Sequence, residues 1–402
     1  MLVVCQLYWP DEVAVAQMLT DLTLHLDEKN VDITVFCSNH GYEKSKESYL
    51  ISENLNGIKI KRVRHFSFGK KYLVGRIFDI LSFNLILLFR LIFLGRKEYD
   101  IILGLTNPPL ISYFGVYVAK WKKIQFYYWA MDLQPEMSFR LGFLKRKSIV
   151  SKLLAGMSYS IYKKADRIIA LDKYMKSYIS EKTDHDRIAV IPVWSTNQQE
   201  DSPNRSENQF IKEHRLEEKL VVMYSGNHTI AHPLTTLLEV AKKLKDDSRF
   251  QFVFIGAGLT KQDVIKFKND YHLENILSLP YQPRNVIHVS LGAADLQVVV
   301  LGDDLVGLTH PSKIYTAMNL AKPILYIGPS PSHVTDMIGN IEGNIIAGHG
   351  QIDLLASRLK AFAHRTQQER QLTGNANKEL IESNFMSVQA LLSFEDYLLN
   401  QE

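Results

Sequence analysis

The segment from Gly307 to Met318 has the residue types and spacing best suited to chemistry. It follows an apolar stretch at 296–301 and places Pro311, Ser312 and Lys313 at the predicted start of a short helix. Proline fits the first turn of a helix, serine can cap it, and free backbone N–H groups beside a lysine can hold a phosphate. We therefore expect this helix start to bind the diphosphate of a nucleotide sugar. An ordinary capped helix is the alternative that the same residues leave open.

Strand and helix patterns alternate along almost the whole chain, which is typical of βαβ units around a parallel sheet. The fold class is therefore predicted as α/β, with two doubly wound, Rossmann-like domains. In the first half, strands are predicted near 2–8, 32–37, 58–63, 100–104, 124–129, 167–171 and 187–191, and helices near 16–29, 73–95, 109–122, 147–164 and 172–182. In the second half, strands are predicted near 220–226, 250–255, 276–279, 296–300, 323–327 and 344–346.

The polar segment 196–208 interrupts this pattern and predicts a linker between the two domains. The N-terminal domain is accordingly placed at 1–193, the linker at 194–218 and the C-terminal domain at 219–385. Residues 386–402 have helical periodicity, and we expect this helix to cross back and pack toward the N-terminal domain.

Residues that follow the strands of the C-terminal domain are candidates for binding the donor. In doubly wound sheets, ligands bind beyond the carboxyl ends of the strands. Gly226 and Gly256 follow two strands and allow the backbone to approach a ligand closely. Tyr281 follows a third strand and is expected near a base, while Ser312 and Lys313 face phosphate. Turn formation alone is the alternative for the glycines.

Polar residues also follow the strands of the N-terminal domain, where they are expected to face an acceptor. Asp132 is the strongest candidate, because a carboxylate held after a core strand can accept the proton of an attacking hydroxyl. A helix cap or turn cap is its alternative role. The other acceptor-side candidates are Trp9, Asp11, Glu12, Asn107 and Glu136.

Several enzyme classes lack support in the sequence. It contains no Gly-x-Ser-x-Gly turn, Walker loop or zinc-ligand spacing, which argues against serine hydrolases, P-loop enzymes and metalloproteases. The turn after the first strand has no glycine, so a dinucleotide-binding dehydrogenase is not expected. Asp303 and Asp304 lack a histidine or third carboxylate at ligand spacing, and we expect neither a metal nor another cofactor.

Charge is unevenly distributed, although the whole chain carries only +4. Residues 1–190 have 28 Lys and Arg against 19 Asp and Glu, a charge of +9, and the remainder has 19 against 24, a charge of −5. The apolar segment Leu81–Leu94 lies near basic clusters at 59–71 and 145–147, and is too short and interrupted to span a bilayer. We expect it to lie on an anionic membrane surface. A core helix with solvated charges nearby is the alternative.

The cysteine usage and the first residues bear on location. Cys5 and Cys37 lie in apolar segments without metal-ligand spacing, which is typical of buried free thiols in a reducing compartment. No basic start or small-residue cleavage site precedes the first strand, so no signal peptide is expected. We expect a cytoplasmic protein, peripheral at the inner face of the plasma membrane, without a nucleic-acid partner.

Together these residues resemble bacterial family-4 retaining glycosyltransferases of the GT-B fold, particularly the branch that builds lipid-linked surface polysaccharides. The resemblance implies two domains facing each other across a cleft, with the nucleotide sugar bound by the C-terminal domain and the acceptor by the N-terminal one. It also implies transfer with retention and without a metal. The motifs that carry it are Tyr8–Glu12, Thr106–Pro109, Asp132–Glu136, Tyr224–Asn227, Phe254–Gly258, Ala293–Leu296 and Pro311–Pro323.

The sequence departs from this family at two pairs of positions. Many members carry an arginine and a lysine where this chain has Asn227 and His232, and two glutamates where it has Leu308 and Thr316. The comparison shifts the expected phosphate contacts to Lys313, His232 and backbone N–H groups, and puts Thr316 near the ribose. The missing glutamates leave an inactive homologue open.

The resulting hypothesis is a retaining transferase with Asp132 and Lys313 as its catalytic residues. It moves a hexose or N-acetylhexosamine from a nucleotide-diphosphate sugar, UDP in preference to GDP, to a polyprenyl-diphosphate-linked glycan. One alternative is a non-catalytic homologue that acts as a partner subunit. The other is a nucleotide-sugar 2-epimerase of the same fold.

Overall fold

The computed structural model describes residues 1–11, 13–41, 48–68, 73–96, 98–106, 110–145, 147–183, 186–194, 203–283 and 286–400. The chain divides into two compact units. The first unit consists of Met1–Thr196, Gly307–His310 and Ser387–Glu402, and the second of Asn197–Val306 and Pro311–Met386.

The first unit is built on an eight-stranded sheet in the order β3-β4-β2-β1-β5-β6-β7-β8. All neighbouring strands are parallel except β3 and β4. The strands are β1 (Leu2–Val4), β2 (Thr34–Ser38), β3 (Ser52–Leu55), β4 (Ile58–Val63), β5 (Ile101–Leu105), β6 (Gln125–Trp129), β7 (Arg167–Ala170) and β8 (Ile188–Val190). The helices before the linker are α1 (Ala14–Glu28), α2 (Leu73–Ile92), α3 (Ile111–Lys122), α4 (Glu136–Arg140), α5 (Ile149–Lys164) and α6 (Lys173–Ser180).

The second unit is built on a six-stranded, fully parallel sheet in the order β11-β10-β9-β12-β13-β14. Its strands are β9 (Leu220–Ser225), β10 (Phe250–Ile255), β11 (Ile276–Leu279), β12 (Leu296–Val300), β13 (Ile324–Ile327) and β14 (Ile345–Ala347). Its helices are α7 (Gln209–Glu213), α8 (Thr235–Lys243), α9 (Lys261–Asp270), α10 (Ile287–Gly292), α11 (Lys313–Asn319), α12 (His333–Ile338), α13 (Ile352–Ala363) and α14 (Gln367–Asn384). This strand order is that of a doubly wound sheet.

The predicted apolar strands form because their side chains are buried in the sheet. The residues of β2, β5 and β12 are all buried, as expected for parallel strands covered on both faces. Strand β3 was not predicted, because none of its four residues is buried. It pairs with β4 through a two-residue turn, in which Asn56 has a φ of +55°.

Part of the segment predicted as a linker is folded into the second unit. Residues Gln209–Glu213 form α7, and Asn208 caps this helix by accepting a hydrogen bond from the Ile211 N–H. Phe210 and Ile211 are buried in an apolar cluster that includes Val221 of β9. The two apolar side chains therefore tie this stretch to the sheet despite its polar surroundings.

The last helix, α15 (Ser387–Leu399), belongs to the first unit. Its Phe394 is fully buried, with ring centres 4.6 Å from Trp129 and 6.0 Å from Trp194. Glu395 on the same helix accepts a hydrogen bond of 2.8 Å from His25 of α1. An aromatic contact and a polar contact thus dock the C-terminal helix on the first sheet.

Candidate functional site

The strand order of the second sheet reverses between β9 and β12, which are neighbours. In doubly wound sheets, the carboxyl ends of the strands that flank this switch point form the ligand crevice. Gly226 follows β9 directly, and the chain beyond β12 leads to Lys313, the first residue of α11. The topology therefore brings these two predicted donor-site residues to the same edge of the second unit.

Lys313 packs against the ring of Tyr224, a residue of β9. Its ammonium donates a hydrogen bond of 2.7 Å to the Tyr224 hydroxyl and lies 4.0 Å from the ring centre. The hydroxyl in turn donates to the Asn227 carbonyl at 2.8 Å. The aromatic face attracts the cation, but burial disfavours the charged form and lowers the pKa of Lys313 from 10.5 to about 7.

Two histidines beside this lysine are held in the neutral form. Burial and then the charge of Lys313 lower the pKa of His232 to about 3. Burial and then Lys261 lower the pKa of His228 to about 4. His228 Nδ1 lies 3.0 Å from the Gly226 carbonyl, so this nitrogen carries the proton and donates it. Within the described residues, the buried His228 Nε2 has no hydrogen-bond partner.

Gly226 and Gly256 are required by close approaches of the backbone. Their φ angles are +136° and +129°, a region that residues with a Cβ rarely adopt. A Cβ at 226 would lie 2.4 Å from Lys313 Cε, and a Cβ at 256 would lie 2.0 Å from the Gly226 carbonyl oxygen. Glycine at these two positions lets the lysine reach Tyr224 and lets the two strand-end loops meet.

Lys261 is a second, half-buried cation of this site, and the sequence did not single it out. It is the first residue of α9, and its ammonium donates to the carbonyls of Phe254 and Leu279 at 3.0 and 2.8 Å. Burial lowers its pKa to about 8. A lysine at the start of a helix is usually a solvated charge, so only the fold reveals that this one joins the ends of β10 and β11.

Neither lysine has an acidic partner in the part of the chain that the structure describes. None of the ion pairs among the described residues involves Lys313 or Lys261. Two ammonium groups and two neutral histidines therefore lie at the end of the second sheet. This arrangement can bind an anion, because an anion would compensate two partly desolvated positive charges.

The remaining donor-side residues lie around this group. Pro311 is buried and Ser312 is half-buried, but Ser312 has helical backbone angles and its side chain makes no capping hydrogen bond. The prediction that Ser312 caps the helix is therefore wrong. Thr316 lies on α11 one turn after Lys313, and Tyr281 keeps 47% of its surface exposed.

Asp132 follows β6 in the first unit and is exposed to solvent. Its carboxylate accepts a hydrogen bond from the Thr309 hydroxyl, and the adjacent Leu133 N–H donates to the Leu308 carbonyl at 2.7 Å. Desolvation of the carboxylate by the surrounding protein raises the pKa of Asp132, and the Thr309 hydrogen bond opposes this effect. Residues 307–310 thus belong to the first unit, whereas the predicted phosphate residues 311–313 belong to the second.

The other acceptor-side candidates have different environments. Glu136 begins α4 and is buried, its Oε2 has no hydrogen-bond partner among the described residues, and burial raises its pKa. Trp9 and Asp11 are half-buried, and the Trp9 carbonyl accepts a hydrogen bond of 2.6 Å from the buried Arg62. Glu12 and Asn107 lie outside the described residues.

A buried polar pair fixes the segment 307–310 in the first unit. His310 Nδ1 donates to Asp172 Oδ2 at 2.7 Å, and the two side chains are only 1% and 3% exposed. The other carboxylate oxygen, Asp172 Oδ1, accepts from the Met175 N–H and caps α6. The same carboxylate therefore holds both a helix start and a distant piece of chain.

Residues 15–193 match the family model described as Glycosyltransferase Family 4. The resemblance predicted from the sequence is confirmed. A curated relative is the probable glycosyltransferase WbjE of Pseudomonas aeruginosa, which is 27% identical over 254 residues. That match covers 60% of this chain and 62% of WbjE, so it spans less than two thirds of the relative's length.

Solved structures of glycosyltransferases are similar over the whole chain. Sucrose-phosphate synthase from Thermosynechococcus elongatus has a TM-score of 0.76 at 11% identity, covering 99% of this chain and 98% of that one. HepE of Anabaena in complex with UDP-glucose has a TM-score of 0.71 at 13% identity, with the same coverage. WaaG, a glycosyltransferase involved in lipopolysaccharide biosynthesis, has 0.69 at 11% identity and covers both chains fully. The two parallel-sheet units therefore have the GT-B fold, as predicted.

Replacing His310 with alanine should destabilise the first unit. The substitution leaves the buried Asp172 carboxylate without its imidazole, a change that costs about 3 kcal/mol or more. Urea unfolding of the wild type and of His310→Ala measures the difference in free energy of unfolding. The matched control is the same substitution in an Asp172→Asn background, where the loss should be clearly smaller. Equal losses in both backgrounds would show that the pair does not stabilise the unit.

Proposed function

We propose that this protein is a retaining glycosyltransferase that takes its sugar from a nucleotide-diphosphate donor bound to the second unit. The observation that carries the proposal is the buried Lys313 ammonium, which has Tyr224 as its partner and no carboxylate among the described residues. A diphosphate is the anion that this fold edge suits, since the site follows the switch point of a doubly wound sheet. The match of residues 15–193 to the Glycosyltransferase Family 4 model and the GT-B fold support a sugar as the transferred group.

The chemistry that these residues supply is stabilisation of the leaving diphosphate. Negative charge grows on the diphosphate as its bond to the sugar breaks, and Lys313 lies where it can meet that charge. Gly226 lets the Lys313 side chain lie against the backbone, and His232 stays neutral and can hydrogen-bond. Thr316 is assigned to the ribose and Tyr281 to the base, with Asn227, Pro311 and Ser312 completing the donor contacts.

The proposed donor site requires no metal. The side chains around Lys313 offer ammonium, imidazole and hydroxyl groups, whereas Mg²⁺ prefers carboxylate and carbonyl oxygens. The chain's own cations are therefore assigned the neutralisation of the diphosphate. Transfer that continues unchanged in excess EDTA would support this assignment, and loss of transfer that Mg²⁺ restores would contradict it.

The acceptor hydroxyl is assigned to Asp132 of the first unit. A carboxylate with a raised pKa is a better proton acceptor, and the Thr309 hydrogen bond holds it in one orientation. Trp9, Asp11, Glu12, Asn107 and Glu136 remain predictions for the acceptor side.

The names of similar proteins support the choice of donor and pathway class. The structures of HepE and TarM were determined with UDP or UDP-glucose, which favours UDP over GDP as the donor nucleotide. WaaG acts in lipopolysaccharide biosynthesis, and WbjE is a probable glycosyltransferase. We therefore propose that this protein acts in surface-polysaccharide biosynthesis, on a polyprenyl-diphosphate-linked glycan.

An anionic membrane surface is the proposed partner of α2. Within the described residues, every helix is too short or too polar to cross a bilayer. The exposed residues Phe78, Leu81, Leu85, Phe89 and Phe93 recur at helical spacing and form one apolar face of α2 and its end. Basic residues at 61 and 64 are exposed nearby, on and after β4, which contacts α2. Such a face suits peripheral attachment at the inner side of the plasma membrane, where lipid-linked acceptors reside.

Replacing Lys313 with alanine should weaken UDP binding at least tenfold and reduce transfer sharply while the fold remains intact. One charge-assisted contact to phosphate is worth about 1.5–3 kcal/mol. Isothermal titration with UDP and a transfer assay with UDP-hexose measure both effects. Lys245→Ala is the matched control, because Lys245 is an exposed lysine of the same unit.

Unchanged UDP affinity in Lys313→Ala would remove this lysine from the donor site. UDP binding without transfer to any lipid-linked acceptor would favour the non-catalytic homologue. Consumption of the donor in the absence of an acceptor would favour the 2-epimerase.

UDP binding should take up a proton at mildly alkaline pH. In the free protein the pKa of Lys313 is about 7, and a bound diphosphate returns it toward its usual value. At pH 8 the free lysine is mostly neutral, so binding should take up about 0.9 proton, and affinity should fall about tenfold per unit above that pH. Titrations in buffers of different ionisation enthalpy measure the uptake. Lys313→Arg stays charged and should lose most of this proton uptake. If the proton uptake is unchanged in this variant, a group other than Lys313 takes up the proton.

Exchanging apolar residues of α2 for polar ones should weaken membrane binding. Phe89→Ser with Phe93→Ser should reduce partitioning to vesicles with 30% anionic lipid at least tenfold, because each buried phenyl ring contributes about 1.5–3 kcal/mol. Vesicle sedimentation measures the partitioning, with purely zwitterionic vesicles expected to bind less. The control pair is Leu354→Ser with Leu372→Ser, two exposed leucines of the second unit. Equal loss in both pairs would argue against α2 as the attachment surface.

A further inference from the structure

A cavity of about 420 Å³ lies in the second unit, away from the proposed donor site. Asp295, which immediately precedes β12, and Pro323, which precedes β13, line it, so it opens at the amino ends of the strands. The donor-site residues Gly226 and Gly256 follow the carboxyl ends of β9 and β10. Six strand residues of β9 separate the two ends of the sheet, a distance of about 20 Å.

The cavity has an excess of positive charge. Arg205, Lys322, Arg370 and Lys378 line it together with a single carboxylate, Asp295. Asp295 accepts hydrogen bonds from Arg205 at 3.1 Å and from Arg370 at 3.2 Å, and also from the backbone N–H at the start of β9. One carboxylate thus serves two guanidinium groups and leaves the lining with a net positive charge.

The positive charge of this cavity is only partly balanced by carboxylates. Lys322 donates to the Gly292 carbonyl at 2.6 Å, and burial lowers its pKa, with Asp295 opposing this effect. Arg370 Nε is buried and has no hydrogen-bond partner among the described residues. Lys378 has only a distant contact, 3.9 Å, with Glu382 one turn along α14. A bound anion would balance the remaining positive charge and give the buried Arg370 Nε a hydrogen-bond partner.

We propose that this cavity is a second anion site, which binds a phosphate group of free phosphate or of a small phosphate ester. Its volume lies within the range of small-molecule sites, and cationic groups enter it from three directions: the chain before α7, the turn after α11, and α14. Amide side chains at 204, 319, 371 and 375 complete the lining and can hydrogen-bond phosphate oxygens or the hydroxyls of an ester.

Titration calorimetry with inorganic phosphate and with glycerol 3-phosphate tests this site in the full chain at constant ionic strength. Lys378→Glu should weaken binding of the phosphate group about tenfold or more, and Lys378→Gln should weaken it less, because reversal adds repulsion to the loss of attraction. Lys245→Glu carries the same charge change on the exposed surface of the unit and should leave binding unchanged. The ligand that binds more tightly identifies the source of the phosphate group.

Two further measurements distinguish binding in this cavity from binding at the proposed donor site. Phosphate binding should persist in Lys313→Ala and in the presence of saturating UDP, whether or not UDP itself binds. If neither probe binds, or if binding is lost in Lys313→Ala and retained in both Lys378 variants, the cavity is not an anion site. If Lys378→Glu and Lys245→Glu weaken binding equally, the effect is one of overall charge, and the proposal is likewise overturned.

Discussion

The contact between the Lys313 ammonium and Tyr224 is the interaction on which the proposed donor site depends. The shift of the Lys313 pKa from 10.5 to about 7 corresponds to an electrostatic penalty on the order of 5 kcal/mol for the charged form. The aromatic face and the hydroxyl of Tyr224 offset part of the lost hydration, but no carboxylate among the described residues does. The positive charge of Lys313 is therefore not balanced by a carboxylate among the described residues of the second unit. An anion that binds there would relieve this penalty, return the pKa of Lys313 toward its usual value and so couple binding to protonation of the lysine.

The neighbours of Lys313 are consistent with a site prepared for negative charge. A protonated histidine beside a buried lysine would add repulsion, and the low pKa values of His228 and His232 show that both rings stay neutral. A side chain at Gly226 would collide with Lys313, and one at Gly256 would collide with the Gly226 carbonyl, so glycine at both positions preserves the position of the lysine. Lys261 adds a second ammonium held by strand-end carbonyls. Shape and charge at this end of the sheet thus favour the same kind of ligand.

Much of the fold was predictable from sequence because parallel strands are buried on both faces and appear as apolar runs. Strand β3 escaped prediction because its pairing depends on the neighbouring β4 and not on burial of its own side chains. In the candidate site, Lys313, Gly226 and Gly256 were predictable from their positions after strands. The role of Lys261 was not, since a lysine at a helix start carries no local signal of burial.

Contacts between segments that are far apart in the sequence could not be predicted from local sequence patterns either. Thr309 bonds Asp132 across 177 residues and His310 bonds Asp172 across 138, so no local spacing relates them. They divide the segment that the sequence presented as one motif, with 307–310 held in the first unit and 311–318 in the second. The local pattern marked these residues as candidates but could not assign them to separate units.

The structure shows the surroundings of Leu308 and Thr316, the two positions at which many family members carry glutamate. Leu308 is 1% exposed and its carbonyl accepts the Leu133 N–H, so a carboxylate at this position would be buried in the first unit. Thr316 lies on α11 one turn beyond Lys313, and a glutamate there would give the ammonium an internal counter-ion. Because position 316 holds a threonine, no carboxylate at this position balances the charge of Lys313. Under the proposed function, this departure from the family pattern favours cationic contacts to the diphosphate over carboxylate contacts to the ribose.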